Sequence, residues 1–265
     1  MYKARITREH RTAIIILCDQ SGSMAEDMPF RGASVPKANA VARILNELLE
    51  EFVNRSRRPE GVRDYFDIAV LGYYGDGIKS LLSQPGEFTT ASQLVRKPVR
   101  IEKETVLRRL PSGNQVAASI LPKYWIEPRA ACETPMGSAL TEAYKMVRSW
   151  CAKTGNRESF PPVIINITDG EASDADAAQP RSITDKIRAV RTEDGNVLLF
   201  NIHLAATENG SSAQVSSPSR IEQIPPHRYA RILYDISSEV PECYNEMILH
   251  SQPGTRPPFR AMGYN

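Results

Sequence analysis

Six consecutive apolar residues, Ala13 to Cys18, stop abruptly at Asp19. A short run this dense in β-branched residues predicts a strand covered on both faces. After a loop, Asp19–Gly32, the period changes. Val41, Ile44, Leu45, Leu48 and Phe52 recur at three- and four-residue steps and predict a helix, with Ser34 as N-cap and Pro36 in its first turn. Arg55–Pro59 ends it. Phe66–Tyr74 and Ile78–Leu82 read as strands joined by the tight turn Gly75-Asp76-Gly77, too short for anything but an antiparallel hairpin.

Prolines 85, 98, 111, 122 and 128 divide the next stretch, Gln84–Ala131, which keeps no period. It reads as an insertion with one short helix near Glu102–Leu110. Thr134-Pro135 opens another helix, with Leu140, Ala143, Val147, Trp150 and Cys151 as its buried stripe. Val163–Ile167, apolar except for Asn166, reads as a second buried strand, followed by Thr168-Asp169-Gly170. A helix near Ile183–Arg191, a strand Val197–Leu204, a polar loop Asn209–Ser219, a short helix, a strand near Arg231–Asp235 and a helix over Pro241–His250 follow. Ser251–Asn265, rich in Pro, Gly and Arg, reads as a loosely ordered tail.

The alternation of strand and helix predicts one α/β domain over residues 1–265: a doubly wound, mostly parallel sheet with one antiparallel edge strand and helices on both faces. A formal charge of +2 over 265 residues argues against a dedicated nucleic-acid binder. No apolar run approaches the roughly 20 residues of a membrane helix, so no membrane partner is expected. Four scattered cysteines without a C-x-x-C pair fit buried free thiols in a reducing cytoplasm, and the cytoplasm is the expected location.

In an open parallel sheet, the loops at the carboxyl ends of the strands form the ligand crevice. Two strands end in aspartate there. One continues Asp19-Gln20-Ser21-Gly22-Ser23, the other Asp169-Gly170-Glu171. Thr134 opens a helix on the same rim. Singly, each residue has a plainer role: a turn for Asp19 and Asp169, a loop for Ser21 and Ser23, a helix cap for Thr134. Together, two carboxylates and three hydroxyls describe a hard, oxygen-rich cation site that suits magnesium, with calcium or manganese as alternatives. Glu171, Asp174 and Asp176 would add to the negative field.

D-x-S-G-S after a buried strand, T-P-x-G opening a later helix, and T-D-G-E after another buried strand resemble the von Willebrand factor A (vWA) domain. The resemblance implies a vWA/Rossmann-like fold and a metal-ion-dependent adhesion site on Asp19, Ser21, Ser23, Thr134 and Asp169. It further implies a protein partner whose Glu or Asp completes the metal shell. The motifs look most like intracellular bacterial TerY-like members of tellurium-resistance and stress operons, which implies a protein kinase or phosphatase as partner. The expectation is therefore a non-enzymatic interaction module. The alternative is a magnesium-dependent phosphohydrolase using Asp19 and Asp169 as metal ligands. Basic residues of the insertion, Arg96 to Arg109, read as a solvated face, and His203 as a satisfied core histidine.

Overall fold

Thr12–Asp19 (β1) is buried along its whole length because its two faces serve two separate cores. Ile15 and Leu17 join the one that receives the helices Met136–Cys151 (α3), Ala178–Ala189 (α4) and Arg228–Ile236 (α5). Ile14, Ile16 and Cys18 join the one that receives Lys37–Ser56 (α1) and Ala91–Arg96 (α2). A period of two in the strand thus becomes two helical layers around one sheet. The computed structural model describes residues 1–75, 77–84, 86–109, 113–131, 133–169, 178–204 and 215–264.

With Phe66–Tyr74 (β2), Gly77–Ser80 (β3), Val163–Thr168 (β4), Leu198–His203 (β5), Val215–Ser216 (β6) and Met262–Tyr264 (β7), the sheet order is β6-β7-β5-β4-β1-β2-β3. The pairs β1–β2, β1–β4, β4–β5 and β5–β7 are parallel. β3 is the expected antiparallel edge strand. A two-residue strand, Thr89–Thr90, also pairs with β2, and β6 runs antiparallel on the far edge. Among the described residues no helix is long and apolar enough to cross a membrane.

Several sequence expectations change in detail. α1 starts at Lys37, not near Ser34, because Asp27–Phe30 and Ala33–Pro36 pair as a hairpin. Arg31 and Gly32 sit at φ 52° and 84° at its tip, the left-handed backbone a two-residue hairpin turn demands. The buried face of α1 is centred on Val41, Leu45, Leu49 and Val53, leaving Ile44 exposed.

The region near Glu102–Leu110 is not a helix: Glu104–Arg109 pairs antiparallel with Gln115–Ile120. The β-branched pair Thr105-Val106, and Gly113 at φ 86°, fit this pairing. The expected strand at Arg231–Asp235 is the helix α5, whose Ala230, Leu233 and Ile236 bury at three-residue steps. Met262–Tyr264, in the stretch read as a loose tail, is instead a strand against β5. Cys18 is a buried free thiol as expected, whereas Cys243 is exposed and Cys151 half-buried. Cys132 lies outside the described residues.

Asn46 of α1 is one of several ties between the body and residues 84–131. Asn46 of α1 accepts hydrogen bonds from the amides of Trp125 (2.7 Å) and Ile126 (3.0 Å). It also donates to the carbonyls of Ile126 and Ala42. Trp125 closes the contact by donating its indole N–H to the Leu94 carbonyl of α2, at 2.8 Å.

Candidate functional site

The parallel register sets Cys18 against Ile167, so β1 and β4 end level and Asp19 and Asp169 emerge on one crest. The Thr168 hydroxyl donates to Asp19 Oδ2 at 2.7 Å, and the Ser21 amide donates to Asp19 Oδ1 at 2.9 Å. The second bond turns the chain back on itself, as an aspartate at the start of a loop does. It brings the Ser21 and Ser23 hydroxyls within 3.1 Å of each other. Met24, fully buried, pins the 3-10 turn Gly22–Ala25 that carries Ser23.

Main-chain bonds carry Thr134 to the same place. The Gln20 amide donates to the Tyr73 carbonyl, the Ala131 amide to the Gln20 carbonyl, and the Gly75 amide to the Glu133 carbonyl. Thr134 is buried immediately before α3. Asp19, Ser21, Thr134 and Asp169 are thus buried on one rim, with Ser23 half-exposed at its edge. Glu171, Asp174 and Asp176, expected to thicken the field there, lie outside the described residues.

Burial pushes the Asp19 carboxyl up to about 6, and the nearby Asp169 charge adds to this; the bonds from Ser21 and Thr168 oppose it. Asp169 uses its two oxygens differently. Oδ2 accepts from the Lys37 ammonium at 3.3 Å, while Oδ1 is buried with no hydrogen-bond partner among the described residues. A buried carboxylate oxygen without a partner is costly, and a cation bound there would offset that cost. The donor set around it is hard oxygen, which suits magnesium, calcium or manganese. Among the described residues, no group of three or more His, Cys, Asp and Glu gathers to hold a metal.

Lys37 escaped the motif reading, as did the contacts that Thr168 and His203 make with the two aspartates. Lys37, the first residue of α1, is 1% exposed and donates to Glu26 Oε2 at 2.8 Å as well as to Asp169. A lysine in the first turn opposes the helix dipole, the signal that should have prompted a search for its carboxylates. Thr168 holds Asp19. His203 donates from Nε2 to the Asp169 main-chain carbonyl at 2.8 Å, since a carbonyl only accepts. Burial lowers its pKa to about 4, and its Nδ1 has no partner among the described residues. It is therefore a core histidine satisfied on one side only.

Gly72 of β2 gives the Asp19–Ser23 loop its room. A Cβ there would lie 2.7 Å from Gln20 Cδ and 3.2 Å from Leu81 Cδ2. Gly72→Ala is expected to destabilise the chain by about 1–3 kcal/mol in urea unfolding. An unchanged urea midpoint would show that Gln20 relocates freely.

No protein-family profile matches the chain. No curated protein matches it either. Similar solved structures include a von Willebrand factor type A protein from Catenulispora acidiphila (TM-score 0.41, 12% identity), with 74% of this chain covered and 34% of that one. This chain thus spans about a third of that relative's length. Manganese-loaded TRAP protein from Plasmodium vivax aligns with TM-score 0.40 and 13% identity, over 92% of this chain and 73% of that one. An uncharacterized membrane spanning protein from Vibrio fischeri aligns with TM-score 0.30 and 16% identity, over 74% and 71%.

Proposed function

We propose that this chain is a vWA-like interaction module that binds a partner protein through a divalent cation. Asp19, Ser21, Ser23, Thr134 and Asp169 would hold the cation, magnesium first. The observation that carries the reading is the buried, unpartnered Oδ1 of Asp169 on the same crest as buried Asp19 and the paired Ser21 and Ser23 hydroxyls. When bound, the cation supplies a positive centre that a partner's Glu or Asp completes. The protein's own part is to orient the donors. Thr168 and the Ser21 amide fix the Asp19 carboxylate, and His203 fixes the Asp169 main chain. Burial keeps His203 neutral at physiological pH, with its Nε2 committed to the Asp169 carbonyl. The finer reading places the module in a bacterial stress-response system, in the cytoplasm, with a protein kinase or phosphatase as partner. It is supported by the likeness of the Asp19–Ser23 and Thr168–Glu171 motifs alone.

Magnesium is expected to raise the melting temperature of the full chain, the gain reaching about 2.7 kcal/mol at a hundredfold excess over Kd. Immobilised protein should retain its partner in magnesium and release it in EDTA, and Asp19→Ala should behave in magnesium as the wild type does in EDTA. Equal partner capture with and without EDTA would sink the reading.

A further inference from the structure

Lys37 is an unusual side chain for its position. It is among the largest fully buried side chains of the molecule, and it opens a helix whose first turn carries no acidic residue. Burial and the helix dipole both disfavour an ammonium there. Two carboxylates hold it in place. Asp169 is itself buried, whereas the Glu26 side chain is 58% exposed.

The backbone ties this pair to the candidate cation loop. The Lys37 amide donates to the Glu26 carbonyl at 2.9 Å, and the Glu26 amide donates to the Ser23 carbonyl at 3.0 Å. A continuous chain of bonds therefore runs from Ser23 through Glu26 and Lys37 to Asp169. It joins two segments that the motif reading assigns to cation binding.

We propose that Lys37 is the resident counter-ion of this crest, competing with a divalent ion for Asp169, and that Glu26 is the carboxylate that draws it away. This rests on the reading of the crest as a divalent site. Asp169 presents one oxygen to Lys37 and leaves the other buried and unpartnered, so an ion on Oδ1 would share a single carboxylate with the ammonium. Like charges a few ångströms apart repel even where water screens them. Lys37 thus lowers the affinity for the ion. It also leaves the loaded crest one positive charge richer, which favours an incoming carboxylate.

The test is a manganese titration of the full chain by calorimetry, with Asp19→Asn as control. Lys37→Met, of similar length and without charge, is expected to bind manganese at least about tenfold tighter than wild type. Glu26→Gln leaves Lys37 wholly to Asp169 and is expected to bind several-fold weaker. Opposite signs from two residues in one ion pair are not what a merely structural role produces.

Binding by Lys37→Met alone, abolished by adding Asp19→Asn, would also support the proposal. Unchanged or weaker binding by folded Lys37→Met would overturn it while leaving the divalent site standing, provided Asp19→Asn still abolishes binding. No binding by any variant would overturn both. If Lys37→Met does not fold, Glu26→Gln decides, since its exposed side chain tolerates the change: affinity equal to wild type overturns the competition.

Discussion

Asp19→Asn is expected to abolish the magnesium-dependent rise in melting temperature while making the cation-free protein more stable at neutral pH. The asparagine keeps the acceptor for the Ser21 amide and can donate to Thr168, whose hydroxyl reverses its role. What disappears is a buried charge. The Asp19 carboxyl titrates near 6 in the fold against 3.8 as an unperturbed group. Its folded pKa is raised, so the folded state binds the proton more tightly, and stability falls as pH rises from about 4 to about 6. At neutral pH that cost is about 3 kcal/mol.

In EDTA, then, the wild type should melt below Asp19→Asn at pH 7, and the gap should close toward pH 4. In magnesium the order should invert at pH 7, because the ion keeps the carboxylate charged and only the wild type binds it. A wild type that melts at the same temperature in magnesium and in EDTA, at concentrations up to several millimolar, would contradict the cation reading. A gap in EDTA that does not vary with pH would contradict the assigned cost of the buried charge.

Asn46→Leu is expected to cost about 3–5 kcal/mol in urea unfolding. The leucine fills similar space, but the Trp125 and Ile126 amides and the Ile126 carbonyl lose their buried partner. Each such unpaired group costs about 1–3 kcal/mol. Proteolysis should locate the damage: cleavage between Lys97 and Glu127 should accelerate before cleavage in β1 or β4. A loss below about 1 kcal/mol would mean that these groups find water or other partners.

The elements with an unambiguous period were legible from the chain. β1, β2 and α3 follow the apolar pattern closely, because long or continuous runs admit one period only. α5 was misread because Arg231–Asp235 is too short to separate a period of two from one of 3.6. The difference is decided by Ala230 and Ile236, which flank it and bury with Leu233. β7 has three residues, one of them glycine, and carries no propensity for a strand. It exists because β5 presents an edge to which Asn201, Ile202 and His203 pair. The insertion hairpin was hidden by a charge-rich composition that suits a solvated helix as well as a strand.

The candidate site divides in the same way. Asp19, Ser21 and Ser23 are close in the chain, so residue type and spacing already suggested hydroxyls folding back on a carboxylate. Asp169 belonged to the crest only on the assumption that β1 and β4 are neighbours, which the register establishes, and Thr134 is carried there by the main-chain bonds of Ala131 and Glu133. Lys37 stands 132 positions before Asp169, and no local pattern links them.

Local chain chemistry was sufficient for the α/β class, for the long periodic elements β1, β2 and α3 and for the oxygen character of the crest, because periodicity, turn residues and donor types act over a few positions. Tertiary structure alone decided which strands lie side by side and how Asn46 anchors the insertion. It also decided that a buried ammonium shares Asp169, since contacts between distant segments depend on how the layers pack.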